Sequence, residues 1–329
     1  MRITRLFSTV QCFHHENPLG LPRKGVIQRM QRGLPQRQKI KDVSKVIAVS
    51  SAKGGVGKST IAGLHHIIAI FCTCQKLNLY LVNLALAYAR RGLRSGLLDT
   101  DIFGPSVPTL MNLSGEPRLS ANNFLIPLSN YGVKSMSMGY LVGESSPVVW
   151  RGLLVMKALQ QLLHEVDWGG LDVLILDLPP GTGDTQLTIT QQIVLDGITS
   201  KNKLIDKTFS QFSGAIIVST PQDIAIKDAV KGFNMFKATK TPILGMIQNM
   251  ALYECPHCHA SSHIFGEKNG VKDMCKEHNV KFLGDIPLHA KICDDADRGM
   301  PTVVAEPTSN RAKIFVETAE NVGREIGLF

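Results

Sequence analysis

The chain has 329 residues, 44% of them hydrophobic and 19% charged, which suits one large folded domain or two small ones and excludes a disordered chain. Its seven cysteines are scattered, which excludes a secreted disulfide framework and fits a reducing compartment. The net charge of +9 lies almost wholly in residues 1–41, with nine Lys or Arg against Glu16; the remainder carries 27 basic and 26 acidic side chains, too balanced for a strong nucleic-acid-binding face.

Residues 1–41 are Arg-rich and acid-poor with scattered Leu, Phe, Ile and Val, and they lack the apolar run of a secretory signal. This composition predicts a mitochondrial transit peptide, with the matrix as destination, or else a disordered basic arm. A single domain is expected over 42–329. It opens with the β-branched run 46–49 and then Ser51-Ala-Lys-Gly-Gly-Val-Gly-Lys-Ser-Thr60. A glycine-rich turn between a strand and a helix leaves backbone N–H groups free to point at phosphates, and the helix dipole favours the anion. Lys58 sits where a phosphate-loop lysine reaches the β- and γ-phosphates, and the Ser59 hydroxyl suits Mg²⁺. Lys53 is an additional cation, and Ala52 takes the place of the usual first glycine.

Farther along, apolar runs at 96–98, 173–178, 214–219, 243–247 and 281–283 read as strands. Helical patterns fit 84–91, 153–165, 224–238, 268–278 and 310–326. Such alternation predicts an α/β fold: a doubly wound, mostly parallel sheet covered on both faces, with ligands gathered at the carboxyl ends of the strands. Polar landmarks fall there: Asp99 and Asp101 after one run, Asp177 ending another, and Asn249 ending a third. No uninterrupted apolar span of 18 residues occurs, because the nearest approach, 64–81, contains His65, His66, Gln75, Lys76 and Asn78. The final helical pattern mixes Arg311, Lys313 and Arg324 with Glu317, Glu320 and Glu325, so it lacks the basic bias of a membrane-binding helix and membrane association is expected to be peripheral at most.

Cys255 and Cys258 supply two thiols on a tight turn. Their spacing fits one edge of a metal centre, but two cysteines cannot complete a four-thiolate site; a symmetric dimer can. Other readings stay open: zinc completed by His257, His259 or His263, a dithiol redox couple, and the formal C-x-x-C-H haem-attachment pattern.

Five segments taken together resemble one family. They are Lys53–Thr60; Leu98-Asp-Thr-Asp-Ile-Phe-Gly-Pro-Ser-Val-Pro108; Asp177-Leu-Pro-Pro-Gly-Thr-Gly-Asp184; Ser219-Thr-Pro-Gln-Asp223; and Asn249-Met250 followed by Cys255-Pro-His-Cys258. The chain is thereby similar to the Mrp/Nbp35 group of P-loop ATPases, which carry iron–sulfur clusters, and to a mitochondrial branch of it implicated in building respiratory complex I. Asn130-Tyr-Gly132 and Val149-Trp-Arg-Gly152 resemble that branch as well. The resemblance implies the deviant, signature-lysine form of the P-loop fold, a homodimer, and slow ATP hydrolysis coupled to cluster transfer. It implies ATP, Mg²⁺ and a [4Fe–4S] cluster as ligands, with iron–sulfur apoproteins, complex I subunits among them, as partners.

The same resemblance implies residue roles. Gly54, Gly55, Val56, Gly57, Lys58, Ser59 and Thr60 would cradle phosphates, with Ser59 on Mg²⁺. Lys53 would cross the dimer interface to the partner's phosphates, like an arginine finger. Asp177, with Asp99 beside it, would hold a Mg²⁺-bound water; Asp101 would orient the attacking water; Asp184 would belong to a γ-phosphate switch. Asn249 and Pro287, in a loop Asp285-Ile-Pro-Leu288, would recognise adenine, and Cys255 and Cys258 would share the cluster across the dimer. A partitioning-type ATPase on membrane or DNA and a zinc-stabilised regulatory dimer are the alternatives. Two stretches depart from the family pattern as extra segments, about 63–81 and 194–212. The first would separate the phosphate loop from a helix beginning near Val82.

Overall fold

A computed structural model describes residues 38–51, 77–101, 104–141, 152–181, 184–192, 212–255, 258, 260–265 and 270–329. Chain contacts divide the protein after Gln36, and all described residues belong to the unit that follows. In chain order its elements are β1 (Val43–Ser51), α1 (Leu77–Arg90), β2 (Ser95–Asp99), α2 (Val107–Leu110), β3 (Leu128–Asn130), β4 (Val133–Ser137), α3 (Gly152–His164), β5 (Leu171–Asp177), α4 (Asp184–Gln192), β6 (Phe212–Ser219), α5 (Asp223–Ala238), β7 (Ile243–Glu254), β8 (Ser261–Ser262), α6 (Gly270–Glu277), β9 (Phe282–Leu288), α7 (Ala290–Asp297), α8 (Thr302–Ala305) and α9 (Asn310–Glu325).

The nine strands form one sheet in the order β3-β4-β2-β5-β1-β6-β7, with β8 and β9 also paired to β7. All pairings are parallel except β3 with β4 and β7 with β8. Parallel strands linked by helices must be apolar on both faces, and the central strands obey this. In β1, Val46 and Ala48 enter one core with α3, α5 and α6, while Ile47 and Val49 enter the opposite core with α1, α7 and α9. In β5, Leu174 and Leu176 alternate with Val173 and Ile175 in the same way. This is the expected doubly wound α/β sheet of a P-loop NTPase.

Three elements differ from the sequence expectation. First, α1 starts at Leu77, so the last five residues of the supposed extra segment belong to the helix, and Leu79, Tyr80 and Leu81 are buried. Their apolarity serves the core facing α9; Tyr80 meets Phe315 with ring centroids 6.0 Å apart. Second, β7 does not end at Asn249 but runs on to Glu254 through a kink at Met250, whose φ is +55°. Third, 285–288 is not a loop but the end of β9, where Ile286 pairs with Asn249 and Leu288 with Tyr253. In both cases the strand persists because a neighbouring strand satisfies its backbone, even where Asn, Asp and Pro interrupt the apolar pattern. Residues 63–76 and 194–211 lie outside the described residues, as do 1–37.

Candidate functional site

Parallel strands bring their carboxyl ends to one edge, and there β1 leads into the glycine-rich segment. Lys53, Gly54, Gly55, Val56, Gly57, Lys58, Ser59 and Thr60 lie outside the described residues. The residues that surround the end of β1 are described. Asp177 ends β5 beside it and is a register partner of both Val49 and Asp99. Both aspartates are buried, at 1% and 0% exposure.

Their hydrogen bonding separates them. Asp99 is fully engaged by the protein: Oδ1 accepts from the Asp101 N–H at 3.0 Å, and Oδ2 accepts from Ser137 Oγ at 3.0 Å and from the Val107 N–H at 3.4 Å. Asp99 therefore ties down the backbone of Asp101 and of Val107 rather than presenting a free carboxylate. Asp101 is half-buried and accepts the Gly104 N–H at Oδ1, 3.3 Å away. Asp177 Oδ2, by contrast, is buried with no hydrogen-bond partner among the described residues. The Asp177 backbone carbonyl accepts from both the Thr100 N–H, at 3.1 Å, and the Thr100 hydroxyl, which locks β5 to the end of β2.

Burial is the main reason both carboxyls are held above the usual carboxylate range. Asp99 is pushed up to about 7, with the negative charge of Asp101 adding to burial and the bonds from Asp101, Ser137 and Val107 pulling back. Asp177 rises well above its ordinary value through burial and then the charges of Asp99 and Asp101. Among the described residues no Lys or Arg pairs with either one. An unpaired carboxylate buried without a cation is costly, and a divalent ion or a cationic side chain next to it removes that cost. The orphaned Asp177 oxygen at the end of a P-loop sheet thus fits a Mg²⁺ site of the Walker-B kind.

After Asp177 the chain continues alongside the end of β1. The Leu178 N–H donates to Val49 O at 3.0 Å, and the Gly181 N–H donates to Ser51 O at 3.4 Å. Gly181 has φ +99°, a conformation that a residue with a Cβ rarely adopts. Asp184 is the first residue of α4; Thr182 and Gly183 lie outside the described residues.

On the other flank, Asn249 and Ile286 are register partners, so Asn249, within β7, lies beside the end of β9 that carries Pro287. The Asn249 side-chain oxygen accepts the Met250 N–H at 2.9 Å, which helps hold the left-handed kink. Next to them, Gln248 Nε2 donates to Asp285 at 3.0 Å, and Lys272 pairs with the same carboxylate at 2.7 Å.

Beyond the kink, β7 still pairs with β9 at Tyr253 and also forms a hairpin with β8. Tyr253 and Glu254 pair with Ser262 and Ser261 of β8, and the Cys255 N–H donates to Ala260 O at 3.0 Å. Cys255 is half-buried and Cys258 exposed, and neither is in a disulfide. The other two described cysteines, Cys275 and Cys293, are buried, and burial pushes the Cys275 thiol up to about 11. His263 Nδ1 lies 3.3 Å from Ala251 O, and among the described residues no three His, Cys, Asp or Glu side chains cluster as a metal site. His257 and His259 lie outside them. The hairpin therefore carries two thiols, one of them exposed.

Two buried polar side chains at this edge were not anticipated from sequence: Ser137, which donates to Asp99, and Gln186, which reaches Ser50. Ser137 hides because β4 buries Ser135 and Ser137 where an apolar period is expected. Gln186 lies only two residues beyond Asp184, so reading that motif farther was the available signal.

Comparison with known proteins gives consistent results. Residues 78–323 match the family model described as "ParA: NUBPL iron-transfer P-loop NTPase". The chain is similar to the mouse protein named iron-sulfur cluster transfer protein NUBPL, at 46% identity over 91% of this chain and 83% of that protein. It is similar to the Arabidopsis thaliana protein named iron-sulfur protein required for NADH dehydrogenase, mitochondrial, at 43% identity over 85% of this chain and 78% of the relative. Among solved structures, a nucleotide-binding protein of Archaeoglobus fulgidus in complex with ADP superposes with a TM-score of 0.61 at 30% identity, covering 84% of this chain and 94% of that one. The cell-division ATPase MinD of Pyrococcus furiosus, at 16% identity and a TM-score of 0.53, covers 85% of this chain and 99% of its own and shares the fold.

Proposed function

From the premise that the chain belongs to the NUBPL iron-transfer P-loop NTPase family, within the Mrp/Nbp35 group, we propose that it is an ATP-dependent carrier of [4Fe–4S] clusters for respiratory complex I apoproteins in the mitochondrial matrix. The observation that carries this reading is the continuity of β7. One strand bears Asn249 at the nucleotide edge and then, past the Met250 kink, the hairpin with Cys255 and Cys258. The names of the mouse and Arabidopsis relatives support cluster transfer and the complex I and mitochondrial assignments. The ADP complex of the Archaeoglobus relative supports the nucleotide.

Two thiols per chain are half of a four-thiolate set, so a homodimer with the cysteine pairs facing across its two-fold axis holds one cluster as cargo. The glycine-rich segment Gly54–Thr60 would cradle the phosphates of ATP, Lys58 would compensate their charge, and Ser59 and Asp177 would hold Mg²⁺. When bound, Mg²⁺ supplies charge compensation for the phosphates and for the buried Asp177 carboxylate. Asp101 accepts a hydrogen bond from the attacking water, and Asp99 fixes the backbone from which Asp101 projects. Lys53 reaches the phosphates of the partner subunit, which makes hydrolysis depend on dimer geometry. Asn249 and Pro287 frame the adenine.

Anaerobic reconstitution of the chain with iron and sulfide tests the reading. A brown dimer absorbing near ~400 nm with about two irons per chain is expected from a shared thiolate-ligated cluster. The colour should vanish in Cys255→Ala. A colourless zinc-loaded dimer overturns the proposal and favours a regulatory role.

A further inference from the structure

Gln186 is the third residue of α4, within its first turn, and is 1% exposed. Its Nε2 donates to Ser50 Oγ at 3.1 Å and also to the Pro179 carbonyl. A carbonyl only accepts, so the amide must present its –NH₂ group toward Pro179, and this fixes its orientation. The consequence is that Oε1 is left buried without a partner among the described residues. A buried amide that leaves one acceptor unpaired in order to make two other bonds is placed for a reason.

Those two bonds join specific segments. Ser50 is in the last turn-free residues of β1, immediately before the glycine-rich segment, and Pro179 is in the turn after Asp177. The backbone bonds from Leu178 to Val49 and from Gly181 to Ser51 run between the same two segments. Gln186 thus adds a side-chain strut from α4 between the strand entering the phosphate loop and the turn leaving the Walker-B aspartate.

We propose that Gln186 is a positioning residue that holds the Asp177–Gly181 turn in register with the entrance to the phosphate loop, acting through Pro179 and Ser50 on γ-phosphate-dependent steps. The inference rests on the reading of this edge as an ATP site. ADP lacks the γ-phosphate, so loss of the strut should alter ATP turnover and leave ADP binding nearly intact.

The test uses the full chain with Gln186→Glu, which exchanges the donating nitrogen for an oxygen at constant shape, and Ser50→Ala, which removes one of the two acceptors. For Gln186→Glu, kcat for ATP should fall about tenfold while MgADP affinity stays within about twofold, and the Leu178 and Gly181 amides should exchange with deuterium about tenfold faster, the scale of one lost hydrogen bond. Ser50→Ala should move both readouts in the same direction by a smaller factor. Unchanged kcat and exchange in Gln186→Glu overturn the inference, as does an equal loss of kcat and MgADP affinity. If Gln186→Glu fails to fold, Ser50→Ala decides alone, and wild-type behaviour in it overturns the inference. A wild-type chain that neither binds MgADP nor hydrolyses ATP refutes the ATP-site reading instead, a separate result from a working wild type with indifferent variants.

Discussion

Asp99 and Asp177 face each other across neighbouring strands, yet they do different jobs because their oxygens meet different neighbours. Asp99 is satisfied by three donors from its own protein, and Asp177 keeps one oxygen bare. Asp177→Asn should therefore weaken nucleotide binding in the presence of Mg²⁺ by at least about tenfold and leave Mg²⁺-free binding little changed, as a lost metal-side carboxylate predicts; titration calorimetry with and without Mg²⁺ checks this. The burial of Asp99 also has a pH consequence. Its folded value of about 7 lies above the unfolded carboxylate value, so between the two the folded state holds the extra proton. Stability from this group is then highest at the acid end of that window and falls as pH rises through about 7. Thermal melts of the nucleotide-free protein across this range should show that fall, and Asp99→Asn should reduce it, with the buried Asp177, raised for the same reason, supplying the remainder. Cysteine reactivity follows the same logic of burial: alkylation at neutral pH should label Cys258 well before Cys275, whose thiol is buried and pushed up to about 11. Mass spectrometry of a time course reads the order.

At the scale of elements, α1 shows how packing redraws a boundary that sequence leaves open. Nothing in the run Leu77–Leu81 caps a helix, and the comparison with a family pattern set these residues apart as extra. In the fold they extend the helix by more than one turn, with Leu81 and Leu84 wholly buried against the C-terminal helix layer. Asn83, also fully buried, locks α1 in place: Nδ2 donates to Leu79 O at 2.8 Å, and Oδ1 accepts the Val303 N–H at 2.9 Å. Asn83→Ala leaves the Val303 N–H buried without an acceptor and should cost about 1–3 kcal/mol in urea unfolding. The cysteine hairpin is the counterpart on β7. Its strand was legible only as far as the apolar run lasts; the kink at Met250 and the partner β8 depend on residues distant in sequence, which a periodicity reading does not pair.

For the whole molecule, the sheet order decides what can act together. Strands β2, β5 and β1 are neighbours although β2 and β5 are separated by the β3–β4 hairpin and α3, and this order puts Asp99, Asp177 and the start of the glycine-rich segment at one edge. Strands β7 and β9 lie on the other flank and bring Asn249 next to Pro287. The proposed cluster shared between two such molecules would tie cargo to dimer state, so sedimentation of the reconstituted protein should show cluster and dimer lost together in Cys258→Ala. The alternation of apolar strands and amphipathic helices was enough by itself to determine the α/β class, and the glycine–lysine spacing and the cysteine pair were enough to point to phosphate and metal chemistry, because these are local patterns of residue type. The tertiary structure alone decided that Asp99 is a clamp and Asp177 the bare carboxylate, that β7 and β9 continue through their polar residues, and that Ser137 and Gln186 belong to the site. Each of these depends on which donor from a distant strand or helix meets a buried acceptor, and that pairing is fixed by how the sheet is ordered and packed.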